Sequence, residues 1–149
     1  MPKSIMQEYE KDFYAWTTHN AKLLREGKLS EIDVEHIAEE IESMGKSEKR
    51  ELISRLAVLL AHLLKWQFQP ERQSNSWKYT IEEQRDEVLE LLDESPSLKH
   101  EIDDKLDRSY RKAILWAATE MGVNKSIFQE KCPFSLEETL NKNFYPENK

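Results

Sequence analysis

Glycine, cysteine and β-branched valine are scarce in this sequence of 149 residues. It contains three glycines, one cysteine and four valines against 17 leucines. Three glycines leave little material for phosphate-binding loops or hairpin turns, and leucine loses less rotamer freedom in a helix than valine does. The single cysteine, Cys132, excludes an intramolecular disulfide, which is typical of a reducing compartment. These scarcities favour a helical protein, and we expect it to be cytoplasmic.

Long apolar runs are also missing. The longest, LAVLLAHLL at 56–64, is too short to cross a bilayer. The net charge of −7 is uneven, because residues 1–45 hold 5 basic and 10 acidic side chains, 46–85 hold 8 and 5, and 86–149 hold 9 and 14. Bulk charge therefore does not attract this chain to nucleic acid or anionic membrane, and only the middle third can offer a basic patch.

Apolar residues recur at helical spacing along most of the chain. The pattern predicts a first helix over about 6–26 that ends at Gly27, and a second helix that begins near the capping residue Asp33. Residues 47–67 carry the widest apolar stripe, and Gly45 either ends the second helix or lies inside one long helix. The second helix has an apolar face made of Val34, Ile37, Ala38, Ile41 and Met44.

The second half of the chain contains three further helix starts. One lies near Ser76, and a second places Ser95 as the cap before Pro96, with Gly122 ending that helix. Ser135 and Glu138 form an S-x-x-E capping box for a short last helix. We therefore predict one all-α domain over residues 1–149, an up-and-down bundle of four to five main helices with a short helical C-terminal tail.

The order of six sequence stretches resembles a bacterial domain-of-unknown-function family, number 29, which is common in cyanobacteria. The stretches cover nearly the whole chain, so the resemblance is more specific than any short motif. It implies an all-helical fold and supplies no activity, cofactor or catalytic residue. The stretches are YEKDFYAW (9–16), EEIESMG (39–45), LLAHLLKWQFQPE (59–71), SWKYTIEEQR (76–85), SPSL (95–98) and KCPFSLEE (131–138).

Metal-binding and nucleophile motifs are missing from the sequence. None of the four histidines follows a glutamate by three residues, and no H-x-x-x-H pair occurs, so di-metal bundle and zinc-protease motifs are absent. Asp33, His36 and Glu40 come nearest to a ligand set, and we interpret them as a capping aspartate and a solvated His–Glu pair. Cys132 precedes Pro133 without a visible activating base, which favours a packing role. We predict no metal, cofactor or catalytic residue.

Three polar residues fall within or beside apolar stripes. Asn20 and Gln84 each occupy the middle of a stripe, and His62 lies at the border of the widest one. A buried amide without a partner costs about 1–3 kcal/mol, so each amide requires a hydrogen bond. Either these side chains pair across the core, or they form a polar core pocket that accepts a ligand.

Aromatic and basic residues alternate in the junction at 62–79, and Arg85 follows it within the basic middle third. They can close the end of the core with their cations reaching outward, anchor a partner protein, or bind single-stranded nucleic acid. We take a non-enzymatic module that binds a partner protein or a second copy as the leading hypothesis. A ligand-binding or enzymatic bundle is the alternative, and nucleic-acid binding is the weakest. The candidate interface residues are Lys65, Trp66, Phe68, Arg72, Trp77 and Arg85.

Overall fold

A computed structural model describes the backbone of residues 3–149, and the side chains of residue 5 and residues 7–149. Every regular element in this range is helical, so the predicted all-α class is confirmed, as is the short C-terminal helix. The helices are α1 (Lys3–Lys11), α2 (Phe13–Arg25), α3 (Val34–Phe68), α4 (Asn75–Glu94), α5 (Ile102–Met121) and α6 (Leu136–Leu140). No helix in the described range is both long and apolar enough to span a membrane.

The chain divides into two compact units, Met1–Ser47 and Glu48–Lys149, which we describe one at a time. The expectation of a single domain over residues 1–149 stays a prediction. The first unit has a small core in which Ile5, Leu23 and Ile32 are buried and Ile37 packs against them. This core is too small to bury the whole apolar surface of the unit, and several large apolar side chains remain exposed.

The prediction of one helix over about 6–26 is wrong, because Asp12 separates two helices, α1 and α2. The backbone of Asp12 is not helical (φ −150°, ψ 83°), and its carboxylate accepts a hydrogen bond from the amide of Ala15 at 3.1 Å. Asp12 is therefore the N-cap of α2, since an aspartate competes well for the free amides of a first turn. At the other end of α2, Gly27 has the left-handed conformation (φ 71°) that the sequence predicts there.

Helix α3 is continuous through Gly45, which decides between the two alternatives left open at that residue. A β-carbon added at Gly45 would have no neighbour within 4 Å, so no close approach requires glycine there. The second half of α3 carries the wide apolar stripe into the interior of the second unit. Its fully buried residues include Leu52, Leu56, Ala57, Leu59, Leu60 and Leu63.

In the second unit, α4 and α5 pack on the second half of α3. Short connections join these three consecutive segments, which is the up-and-down arrangement. Each buried leucine contributes roughly 1.5–3 kcal/mol of hydrophobic stabilisation. The facing residues are Ile81, Val88, Leu91 and Leu92 on α4, and Leu106, Tyr110, Ala113 and Ala117 on α5.

The predicted start of α5 at Ser95 and Pro96 is wrong by about one turn and a half of helix. Residues Pro96–Glu101 form a 3-10 helix, the Ser95 side chain makes no capping hydrogen bond, and α5 begins at Ile102. The short i to i+3 turns let Leu98 reach the core between the two helices. The other signals are confirmed: Gly122 ends α5 at φ 69°, and Ser135 with Glu138 forms a capping box.

Candidate functional site

The first unit contains a buried polar network centred on Asp33, whose carboxylate is enclosed at the start of α3. The indole nitrogen of Trp16 donates to Asp33 Oδ2 at 2.9 Å. The backbone amide of Asp33 donates to Asn20 Oδ1 at 2.9 Å, and Asn20 Nδ2 donates to the carbonyl oxygen of Trp16, also at 2.9 Å. Both polar groups of the Asn20 amide are therefore satisfied, and α2 is tied to the start of α3.

His36 extends this network toward the surface. Its Nδ1 lies 2.6 Å from Asp33 Oδ2, and its ring stacks on Tyr9 with the centroids 3.9 Å apart. The hydroxyl of Tyr9 donates to Glu40. The interpretation of Asp33 as a cap holds, because the His36 amide lies 3.4 Å from Asp33 Oδ1. The expected His36–Glu40 pair is wrong, since His36 pairs with Asp33 and Glu40 pairs with Tyr9.

The network changes the pKa of Asp33, His36 and Tyr9. Burial acts to raise the pKa of the Asp33 carboxyl, but the hydrogen bonds from His36 and Trp16 outweigh it and hold that pKa below its usual value. The hydrogen bond to Asp33 raises the pKa of His36 against the opposing effect of burial. The hydrogen bond to Glu40 raises the pKa of Tyr9 to about 12. A buried carboxylate that orients a histidine is a general-base arrangement, yet in the described residues the His36 ring bonds only Asp33.

The residues of the predicted core pocket have separate partners. Asn20 belongs to the first unit, whereas Gln84 and His62 belong to the second and are only partly buried. Gln84 accepts a long hydrogen bond from Arg55 at 3.4 Å. His62 Nδ1 lies 2.9 Å from the carbonyl oxygen of Val58, and burial lowers its pKa. A ligand role for these three residues stays a prediction.

Several predicted interface residues take part in packing within the second unit. Lys65 is buried, pairs with Glu120, and places its ammonium 5.1 Å from the centroid of the Trp77 ring. Trp66 packs on the main core, with its ring 4.9 Å from that of Tyr145. Trp77 is partly buried. These side chains therefore contribute to the stability of the unit, and the interface role predicted for them stays a prediction.

The remaining three members of that set differ from one another. Phe68 packs edge-on against Phe128 with centroids 5.0 Å apart, and Arg72 is exposed. Arg85 is fully buried on α4 and donates two hydrogen bonds to backbone carbonyl oxygens of the C-terminal segment. With Lys65 and Arg85 engaged inside the protein, the junction has fewer free cations for phosphate groups than the sequence indicates.

An acidic cleft lies beside α4 in the second unit. It has a volume of about 220 Å³ and is lined by Leu91 and by Glu48, Glu51, Glu87, Glu90 and Glu94. Arg55 pairs with Glu51 at 3.0 Å and with Glu87 at 3.6 Å, so part of this negative charge is neutralised. No group of three or more His, Cys, Asp or Glu side chains with a metal-holding arrangement occurs within residues 3–149.

Cys132 is a partly buried free thiol in the second unit. Burial raises the pKa of its thiol to about 11, against the effect of a hydrogen bond to the carbonyl oxygen of Phe134. The reactive form of a cysteine is the thiolate. At neutral pH this thiol is therefore almost entirely protonated, which makes it a poor nucleophile.

Two features were not singled out by the sequence analysis. One is a pocket of about 560 Å³ beside Arg85, formed by α4, the last residue of α6 and the residues after it. Its lining residues are distant in sequence, so periodicity could not have grouped them. The other is that the apolar face on the first turns of α3 is exposed to solvent. The spacing of its residues predicts an apolar face but does not show whether another segment covers it.

No curated protein and no solved structure matches this chain. The family model for the domain of unknown function DUF29 matches residues 8–145, which is nearly the whole chain and includes both compact units. The resemblance found in the six sequence stretches is thereby confirmed, and the chain belongs to the DUF29 family.

Proposed function

We propose that this protein is a non-enzymatic helical module that binds a partner protein through the first turns of α3. The observation that carries this proposal is an apolar stripe left open to solvent in the first unit. Val34, Ile41 and Met44 are 57%, 58% and 62% exposed, and Ala38 is also exposed. A row of exposed apolar residues at i, i+4 and i+7 is the face with which one helix packs on another, as in coiled-coil zippers.

A neighbouring side of the same turns is already used. Asp33 is buried, and His36, Ile37 and Glu40 are partly buried against α1 and α2. At about 100° per residue, Val34, Ala38 and Ile41 lie together on a different side of the helix. Met44 follows on the side of Ile37 and Glu40, one turn beyond Glu40, and is exposed there. The stripe is therefore not needed to hold the first unit together, and it is available for a second molecule.

Charge indicates which kind of partner fits the stripe. Glu35, Glu39 and Glu42 border it on one side, are exposed, and form no ion pair within the described residues. The first basic residue of α3 is Lys46. Aligning two copies of the stripe brings the same glutamates together, and like charges disfavour that pairing. An amphipathic helix with basic flanks matches both the apolar stripe and its acidic border.

Two designed helical peptides with the same leucine face test the proposal, one flanked by lysines and the other by glutamates. We expect the protein to bind the labelled lysine peptide in fluorescence anisotropy, with an affinity that falls as salt is added. The double variant Ile41→Glu/Met44→Glu should weaken binding at least about tenfold, equivalent to about 1.4 kcal/mol. Leu115→Glu, at an exposed apolar position on α5, is the matched control and should bind like the wild type.

Two results would overturn this assignment. Equal binding of both peptides would show that the acidic border has no role in selection. A dimer in light scattering that Ile41→Glu dissociates would instead identify a second copy of the chain as the occupant of the stripe.

A further inference from the structure

Arg85 is the most deeply buried charged side chain of the second unit, with 1% of its surface exposed. Its Nε donates to the carbonyl oxygen of Thr139 at 2.8 Å, and its Nη2 donates to that of Phe144 at 2.7 Å. Its Cζ lies 5.4 Å from the centroid of the Tyr145 ring. These contacts fix the guanidinium between α4 and the C-terminal segment.

No carboxylate of the described residues pairs directly with Arg85. Within residues 3–149 it forms no ion pair, and its Nη1 has no hydrogen-bond acceptor. Burial lowers the pKa of the guanidinium, because the interior disfavours the charged form, and the more distant charge of Glu82 and the Tyr145 hydroxyl oppose this only in part. Buried charges are normally paired, since an uncompensated one is costly. The positive charge of Arg85 is therefore not fully compensated, and it can attract an anionic group.

The pocket of about 560 Å³ beside Arg85 is large enough for a small ligand. Its wall combines both signs of charge with aliphatic surface. The residues that line it together with Arg85 are Glu82, Asp86, Leu89, Leu140, Lys142 and Asn143. Two cations and two carboxylates face one space, so a ligand with a single sign of charge meets repulsion as well as attraction.

We propose that this pocket binds a small zwitterion of the amino-acid class, with its carboxylate toward Arg85 and Lys142 and its ammonium toward Glu82 and Asp86. Arg85 Nη1 is shielded from solvent, so Arg85 acts through the field of its charge and not through a direct hydrogen bond. Lys142 and Asn143 are exposed and supply the accessible donors. Leu89 and Leu140 provide surface for an aliphatic side chain.

This site is separate from the apolar stripe on α3, so the two proposals fail or succeed independently. An oxyanion such as phosphate satisfies the cations but is repelled by Glu82 and Asp86. A simple amine pairs with Glu82 and Asp86 but is repelled by Arg85 and Lys142. The mixed lining therefore selects for a molecule that carries both groups.

Titration of the ¹⁵N-labelled protein by NMR tests the site with matched probes. Leucine carries both groups, 4-methylpentanoate only the carboxylate, isoamylamine only the ammonium, and inorganic phosphate serves as the oxyanion. The other natural amino acids are screened in the same way. We expect at least one amino acid to give saturable shifts confined to α4 around residues 82–89 and to residues 140–145, and the three single-charge probes to give none.

Substitutions in the exposed part of the lining keep the test independent of folding, because Arg85→Gln also removes two structural hydrogen bonds. Lys142→Gln and Glu82→Gln should each weaken binding of the amino acid about twofold to fivefold. Glu83→Gln and Lys112→Gln, both exposed and outside the pocket, are the matched controls. No saturable shift with any amino acid, equal binding of phosphate, or unchanged binding in both lining variants would each overturn the proposal.

Discussion

The indole of Trp16 donates a hydrogen bond to the buried carboxylate of Asp33, and the backbone amide of Asp33 donates in turn to the side chain of Asn20. Trp16 and Asp33 are 17 positions apart; Trp16 lies in α2, and Asp33 directly precedes α3. Asp33 therefore has a second role beyond capping, because it joins the first two turns of α2 to the start of α3.

Asn20 and Gln84 should respond differently to the same substitution. We expect Asn20→Leu to lower the free energy of unfolding by about 1–3 kcal/mol, since it leaves the buried amide of Asp33 without an acceptor. Gln84→Leu should change it by less than about 0.5 kcal/mol, because Gln84 is partly exposed and makes one long hydrogen bond. Urea denaturation of both variants measures the difference. A gain in stability with Asn20→Leu would contradict the importance of this bond.

The stability contributed by His36 should depend on pH. Its pKa in the folded protein is raised above 6.5, so the stabilisation is fully present below that pH and is lost as the pH rises through the folded pKa. The pKa of Asp33 is lowered from 3.8, so its contribution is lost as the pH falls through the folded value. The pair should therefore stabilise the first unit most between about 3.8 and 6.5.

Urea denaturation at about pH 5.5 and about pH 8.5 tests this window. We expect the difference in unfolding free energy between the wild type and His36→Gln to be larger at the lower pH. His100→Gln, at an exposed histidine of the second unit, is the control and should show no comparable change. If the difference in unfolding free energy between the wild type and His36→Gln were larger at high pH, the expected direction of the pH dependence would be wrong.

Substitutions of Trp66 and Arg72 should show which residues of the aromatic–basic junction contribute to packing and which lie free on the surface. Trp66→Ala removes a ring that packs on the main core and on Tyr145, and we expect a loss of about 3 kcal/mol in the free energy of unfolding. Arg72→Ala changes an exposed side chain and should be within about 0.5 kcal/mol of the wild type. Thermal and chemical denaturation measure both. If Trp66→Ala were as stable as the wild type, Trp66 would not be needed for packing, and an interface role would be favoured instead.

Cys132 should be slow to react in the folded protein. With a thiol pKa of about 11, only about one molecule in a thousand carries the thiolate at about pH 8. We expect alkylation by iodoacetamide, followed by mass spectrometry, to be far slower in buffer than in guanidinium chloride, where the thiol is exposed. Equal rates in the two conditions would contradict the burial of this side chain.

The sequence by itself determined the helical class, the family and most of the helix ends. Leucine-rich periodicity predicts amphipathic helices wherever the core can bury one face, and local signals such as Gly27, Gly122 and the Ser135–Glu138 capping box act within a few residues of themselves. Gly45 shows the limit of a local signal, because glycine lowers helix propensity by only about 1 kcal/mol and does not stop a long helix.

The tertiary structure alone decided which polar and apolar residues are covered. Spacing places Val34, Ile41 and Met44 on an apolar face but does not show that this face remains open. Basic character at Arg85 suggests a surface cation, whereas the fold buries it against Thr139 and Phe144, more than 50 residues away in sequence. Burial and hydrogen-bond partners depend on which distant segments meet, and a pattern read along one chain carries no such information.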